Sequence, residues 1–205
     1  VRTPRLVLRW PSDDDLVALA DLAVGGIHGD DEMPFSTPWS RLPPDELTLG
    51  LLRFNWKRRG GWSPTDWDWN PVVVVDGEIV GTQGMVASQF SVLRTVATGS
   101  WLGRPHQGKG IGTEMRAAVL HLAFAGLGAV RAETGAWDDN PASIAVTRKL
   151  GYRPNGDKLL PLDGVAKRQV MFALSRADWE RGRRDDISLE GLEPCLPHFG
   201  AGTES

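Results

Sequence analysis

The sequence predicts an α/β (α+β) protein, with helices interleaved among strands around a central antiparallel pair, and three observations carry that prediction. Val72 to Val75 is an unbroken β-branched run, Asp76-Gly77 is a two-residue hairpin turn, and Glu78 to Ala87 returns as a second strand. Thr95 to Leu102 reads as a strand that enters a glycine-rich turn, after which Ile111, Met115, Ala118, Leu122 and Ala125 mark one face of a long helix. Helix starts recur between strands: Ser12 precedes three aspartates, and Asn140 precedes Pro141.

Taken in order, Thr3 to Trp10 alternates as an opening strand, and a helix from Asp13 runs to about Val24 before Gly25-Gly26. A loop, Ile27 to Pro44, carries His28, Glu32 and the segment MPFSTPW with Phe35 and Trp39. A second helix begins at the prolines and follows Leu47, Leu51 and Phe54. Gly60 to Pro71 reads as an irregular crossing whose three tryptophans either cover an edge of the core or line a pocket. Beyond the long helix come a strand from about Ala129 to Trp137, a short helix stopped by Gly151, and two strands joined at Asp163-Gly164. A charged helix, about Arg176 to Arg184, closes the predicted domain, 1–184, leaving 185–205 as a proline-broken tail.

The 205 residues suit one domain with an adequate core. A net charge of -3 argues against a long phosphate-tracking surface and hence against nucleic acid. No stretch approaches the roughly 20 apolar residues a membrane span needs. Cys195 has no partner for a disulfide, so a reducing compartment is expected. The first residues read as a strand and not as a signal core, and the expected location is cytoplasmic. The four histidines show no metal-ligand spacing, so no metal is expected.

The chemistry concentrates in SWLGRPHQGKGIGTEM. Glycines 108, 110 and 112 let the backbone turn tightly with its N–H groups inward, and the helix that follows adds its positive end, an arrangement suited to a pyrophosphate. The dinucleotide fingerprint G-x-G-x-x-G fails, because Thr113 stands three residues after Gly110. Gly103 to Lys109 matches G-x-x-x-x-G-K, but Gly110 occupies the place of the magnesium-binding serine or threonine. Q-x-x-G-x-G is met by Gln107, Gly110 and Gly112, with a ligand-free glycine loop as the plain alternative.

At this motif the chain resembles the GNAT superfamily of acyl-CoA N-acyltransferases. Asn140-x-x-Ser143 followed by Arg148-Lys149-Leu150-Gly151-Tyr152 is similar to that superfamily's second signature. The set GSWLG, GKGIGTEM, N-P-A-S-I-A-V and K-L-G-Y resembles its RimJ/RimL branch over Thr3 to Arg184, most of all actinobacterial members with an MPFS-x-PW loop, some of them associated with succinyl-CoA. The resemblance implies the GNAT fold: a mixed, mostly antiparallel sheet that splays where Ser100 to Leu102 leaves Thr134 to Trp137. It implies acyl-CoA, as acetyl-CoA or succinyl-CoA, held by Trp101, Leu102, Gln107, Gly108, Lys109, Gly110, Ile111, Gly112, Thr113, Asn140 and Ser143.

Acyl transfer to an amine needs the amine neutral, the carbonyl polarised and the thiolate protonated or stabilised. The family's usual tyrosine position is Thr147 here, and the branch suggests Ser143 instead, a residue that also reads as a plain helix-start serine. Glu133, Glu32 and His28 are candidates to take the amine's proton, each also readable as solvated or salt-bridged. Phe35, Trp39 and Gln83 are candidates for the acceptor wall, with core packing the alternative for the aromatics. The acceptor is a primary amine: a protein N-terminus, a lysine or a small molecule. With no cysteine near the motifs, direct transfer in a ternary complex is expected. A non-catalytic acyl-CoA-binding module is the alternative, and exposed tryptophans between Gly60 and Pro71 would point to a homodimer.

Overall fold

In the computed structural model, which describes residues 1–202, one sheet contains β1 (Val7–Arg9), β2 (Asp66–Trp69), β3 (Val72–Val75), β4 (Glu78–Ser88), β5 (Thr95–Leu102), β6 (Arg131–Trp137), β7 (Arg153–Leu162) and β8 (Val165–Ser175). Its order is β1-β3-β4-β5-β6-β8-β7, with β2 also paired to β4. Only β5 and β6 run parallel. The helices are α1 (Asp13–Val24), α2 (Pro44–Gly60), the single turn α3 (Phe90–Leu93), α4 (Ile111–His121), α5 (Pro141–Lys149) and α6 (Arg176–Arg181).

The two faces of the sheet are covered by different helices. Ser12 caps α1 in a capping box with Asp15, whose carboxylate is also gripped by Arg9. Leu16, Leu19, Ala20 and Ala23 then pack with Leu47 and Leu51 of α2 and Val72 of the sheet. On the other face, Ile111, Met115, Ala118 and Val119 of α4 pack against Val96, Leu102, Phe172 and Leu174. Burying each of the larger side chains here, the leucines, isoleucine, valines, methionine and phenylalanine, contributes about 1.5–3 kcal/mol, so two apolar layers clamp the sheet and fix where β5 delivers its C-terminal end.

Several expectations are corrected. The opening strand is only Val7–Arg9, because Thr3 to Leu6 closes a turn: Thr3 N–H donates to Leu6 O, and Leu6 N–H donates to Thr3 Oγ1. The crossing from Gly60 to Pro71 contains a strand, β2, whose Asp-Trp-Asp-Trp pairs with Met85 to Ser88. Trp67 and Trp69 are buried, and Trp62 is half-buried in a cluster with Trp67 and Phe199, so the exposed tryptophans that would argue for a homodimer are not there. The long helix ends in a π-helical turn, Leu122–Gly126, and α6 stops at Arg181 instead of Arg184.

The tail is packed on the domain. Its 3₁₀ helix, Glu193–Phe199, places Phe199 against Trp67, and Trp62 Nε1 and Trp67 Nε1 donate to the carbonyls of His198 and Phe199. Arg2 and Ser188 exchange main-chain hydrogen bonds. Residues 203–205 of that predicted tail lie outside the described residues. Among the described residues no helix is long and apolar enough to cross a membrane.

Candidate active site

The parallel pair β5 and β6 is joined only at Thr95 with Arg131, Val96 with Ala132 and Ala97 with Glu133. A side chain then takes over from the ladder: Thr134 Oγ1 donates to Thr98 O at 2.9 Å. Beyond that point Gly99 to Leu102 pairs only with β4, and Gly135 to Trp137 only with β8. Two strands that part in mid-sheet present main-chain edges that no longer pair with each other, a place where an extended ligand arm with amides of its own can lie.

At the end of β5 the chain makes a 3₁₀ turn, Arg104–His106, and enters α4 through Gly108 (φ 72°) and Gly110 (φ 78°). A β-carbon in this left-handed region costs roughly 1–2 kcal/mol, which explains glycine at both places. The N–H groups of Gly108, Lys109, Gly110, Ile111, Gly112 and Thr113 donate to no protein acceptor among the described residues. Six consecutive uncommitted amides at the positive end of α4 fit a diphosphate. The helix is present, it starts where the sequence placed it, and its first amides are free.

Side chains hold this turn in place. Gln107 Nε2 donates to Leu102 O at 2.8 Å and to Ile27 O at 2.6 Å, tying the turn to the strand end and to the loop after α1. Gln107 is thus a brace. Arg5, missed by the sequence reading, donates from Nε to Glu114 Oε2 at 2.7 Å and from Nη1 to Lys109 O at 3.2 Å, while Thr3 Oγ1 donates to Glu114 Oε1. Burial pushes the Glu114 carboxyl up, but the hydrogen bonds from Thr3 and Arg5 outweigh it and hold the group below its ordinary value. Arg104 and Lys109 are exposed beside the turn, and neither enters an ion pair among the described residues. Trp101 and Leu102 occupy the β5 arm of the parting strands, on opposite faces.

Across the opening, Asn140 caps α5 by accepting from Ser143 N–H at 3.0 Å. The Ser143 hydroxyl is half-buried and has no partner among the described residues. Thr147 is fully buried; its Oγ1 donates to Ser143 O at 2.8 Å and accepts from Arg116 Nη1 at 2.8 Å. Arg116, on α4, also donates from Nη2 to Ser100 Oγ at 3.2 Å. The sequence reading missed it, since a charged residue on a helix reads as solvated.

On the opposite face, the loop from Ile27 to Pro44 spans the mouth. Met33 packs on Trp137 and Leu162, and Arg41 pairs with Asp163 at 2.8 Å. Phe35, Trp39 and Trp101 form a run of aromatic contacts at 5.0 and 5.8 Å between ring centroids. His28, beside Phe35, has both ring nitrogens engaged, Nδ1 with Gly29 O and Nε2 with Ser40 Oγ, each at 2.7 Å. Glu32 is exposed and accepts from Gly29 N–H. Glu133, at the base of the opening, is paired with Arg131 at 2.6 Å.

Gln83 does not join this wall. It lies directly opposite Ser100 in the β4–β5 register and so shares Ser100's face, while Trp101 and Trp39 pack on the other. It is fully buried and donates to Gly84 O and Gly99 O, bracing the strands. A cavity of about 420 Å³, lined by His121, Lys149, Arg153, Trp179 and Arg184 among others, lies outside the parting strands and takes no part in this arrangement. Among the described residues no group of His, Cys, Asp and Glu is arranged to hold a metal ion.

Comparison with known proteins agrees with this geometry. Residues 5–153 match the family model described as the acetyltransferase (GNAT) domain. The chain is 31% identical over 108 residues to YjcK of Bacillus subtilis, described as a probable N-acetyltransferase; the match covers 52% of this chain and 60% of that protein's length. RimL, a ribosomal-protein alpha-N-acetyltransferase solved with coenzyme A, superposes with a TM-score of 0.68 at 20% identity, over 84% of this chain and 95% of that one. RimJ of Mycobacterium smegmatis gives 0.64 at 22% identity, over 87% and 90%. The solved structures share the fold, and the family match over residues 5–153 shows that the chain belongs to the GNAT acetyltransferase family.

Proposed function

We propose that the chain is an N-acyltransferase that moves a short acyl group from acyl-CoA to a primary amine within a ternary complex. The observation that carries this reading is the row of free amides from Gly108 to Thr113, set where β5 and β6 part. The turn and α4 hold the pyrophosphate, with Lys109 and Arg104 near enough to add charge. The open edges of Ser100 to Leu102 hydrogen-bond the pantetheine arm and polarise the thioester carbonyl, and Asn140 borders the same arm. Ser143, whose hydroxyl is uncommitted, donates to the sulfur as it leaves.

The amine enters from the side of Phe35 and Trp39, against aromatic surface. Glu133, His28 and Glu32 are the candidates to relay its proton, directly or through water. Acetyl-CoA is the first donor to test and succinyl-CoA the second; the acceptor is a protein N-terminus, a lysine or a small amine. A cytoplasmic location belongs to the same reading. Two experiments test the reading. Replacing Gly110 and Gly112 by valine abolishes coenzyme A affinity, and unchanged affinity refutes the site. Thiol release from each donor with a panel of amines gives turnover. A second reading, an acyl-CoA-binding module without turnover, draws on Thr147, whose proton is already given to Ser143 O; saturable binding with no thiol release from any amine would establish it.

A further inference from the structure

Arg116 is 4% exposed, and its guanidinium meets only hydroxyl groups: Thr147 Oγ1 through Nη1 and Ser100 Oγ through Nη2. Its Nε has no partner among the described residues, and no carboxylate among them pairs with it. Tyr152 lies close by and is no counter-ion: burial pushes its hydroxyl up, outweighing the Arg116 charge and a hydrogen bond with Thr98, so it stays neutral. A guanidinium keeps its proton in proteins. The fold therefore carries an uncompensated positive charge in its interior, an arrangement that remains costly even after the surroundings relax. Such a cost is recovered when negative charge forms beside it.

Resting on the acyl-transfer reading above, we infer that Arg116 is a buried positioning cation that stabilises the departing thiolate through the hydroxyl of Ser100. Ser100 stands on the β5 arm, three residues past the last β5–β6 pair at Ala97, where the strands have parted. Its Oγ accepts from Arg116, and its own proton has no acceptor among the described residues. A hydroxyl that accepts from a cation is a stronger donor on its other side. As the amine nitrogen bonds to the acyl carbon, the C–S bond breaks and its electron pair leaves on sulfur. Ser100 Oγ–H then hydrogen-bonds that sulfur alongside Ser143, and the proton lost by the amine nitrogen ends on the sulfur, so the products are an amide and a free thiol. Thr147 holds the guanidinium from the other side, the position where a tyrosine is usual.

The test uses Arg116→Met, Arg116→Lys and Ser100→Ala in the full chain, with three readouts: kcat, coenzyme A affinity, and ultraviolet titration of the thiol of bound coenzyme A. In R116M, kcat falls about tenfold or more, coenzyme A affinity stays within about twofold, and the bound thiol titrates about one pH unit higher. Its melting temperature is unchanged or raised, because an unpaired buried charge has been exchanged for an apolar chain of similar volume. R116K recovers part of the rate. S100A shifts the thiol titration in the same direction with the guanidinium still in place, which keeps the test decisive should R116M fold poorly. An unmoved thiol titration in S100A and R116M overturns the inference while leaving acyl transfer intact, as does a kcat loss that only tracks a fall in melting temperature. Failure of the wild-type chain to bind coenzyme A overturns the reading underneath, and this inference with it.

Discussion

Replacing Arg5 by alanine removes the guanidinium that fastens the phosphate-binding turn to the first turn of α4. The Glu114 side chain is 6% exposed and that of Arg5 is 51% exposed. Stripping the partner from a fully buried charge costs about 3–5 kcal/mol, whereas a solvated pair contributes about 0–1 kcal/mol. With one partner half in water and Thr3 still donating to Glu114, the expected loss is about 1.5–2 kcal/mol, or a melting temperature lower by about 3–8 °C. Since the Lys109 carbonyl also loses its donor, KM for acyl-CoA rises about threefold or more while KM for the amine does not. The sign with pH follows from Glu114, whose folded-state pKa is depressed. Its contribution is present above the unfolded value of about 4.3 and fades as pH falls through the folded one, so wild type and R5A converge in acid. Thermal unfolding of R5A, E114Q and the double variant, with steady-state kinetics, measures all of this. Additivity within about 0.5 kcal/mol, or an unchanged acyl-CoA KM, would refute the clamp.

Ser143→Ala lowers kcat about tenfold or more with little change in acyl-CoA KM; a normal kcat would leave that serine as a helix-start residue only. Trp39→Ala breaks the aromatic run between Phe35 and Trp101 and raises the amine's KM without changing that of acyl-CoA, which initial-rate kinetics resolve. Asp15→Asn loses the Arg9 hydrogen bonds, which hold the Asp15 carboxyl well below the carboxylate range despite burial. With Arg9 half in water, the loss at neutral pH is about 1 kcal/mol. Because that folded-state pKa is depressed, the gap to wild type narrows as pH drops below about 4, and denaturant unfolding across pH reads it.

What the sequence made legible was local. Asp76-Gly77 between two β-branched runs fixes a hairpin, and three glycines before an apolar helical face fix the turn, because each signal lies within a few residues of the structure it dictates. β2 was hidden because its four residues find their only strand partner at the far end of β4, and its tryptophans read equally well as irregular cover. The Arg5–Glu114 pair joins residues 109 apart, and no spacing rule reaches across that distance. Arg116 was illegible for a related reason: helical periodicity puts a charge on the solvent side, and only α5 and β5 closing over it make it interior. Gln83 was assigned to the right strand but the wrong face, since the face depends on which residue of β5 lies opposite.

The central claim concerns six main-chain amides, and it is most directly tested by following backbone amide resonances while coenzyme A is titrated into isotope-labelled protein. The largest shifts, and the strongest new protection from hydrogen exchange, are predicted at Gly108 to Thr113, and both vanish when Gly110 and Gly112 are replaced by valine. Saturable binding that leaves those amides unmoved would contradict the account.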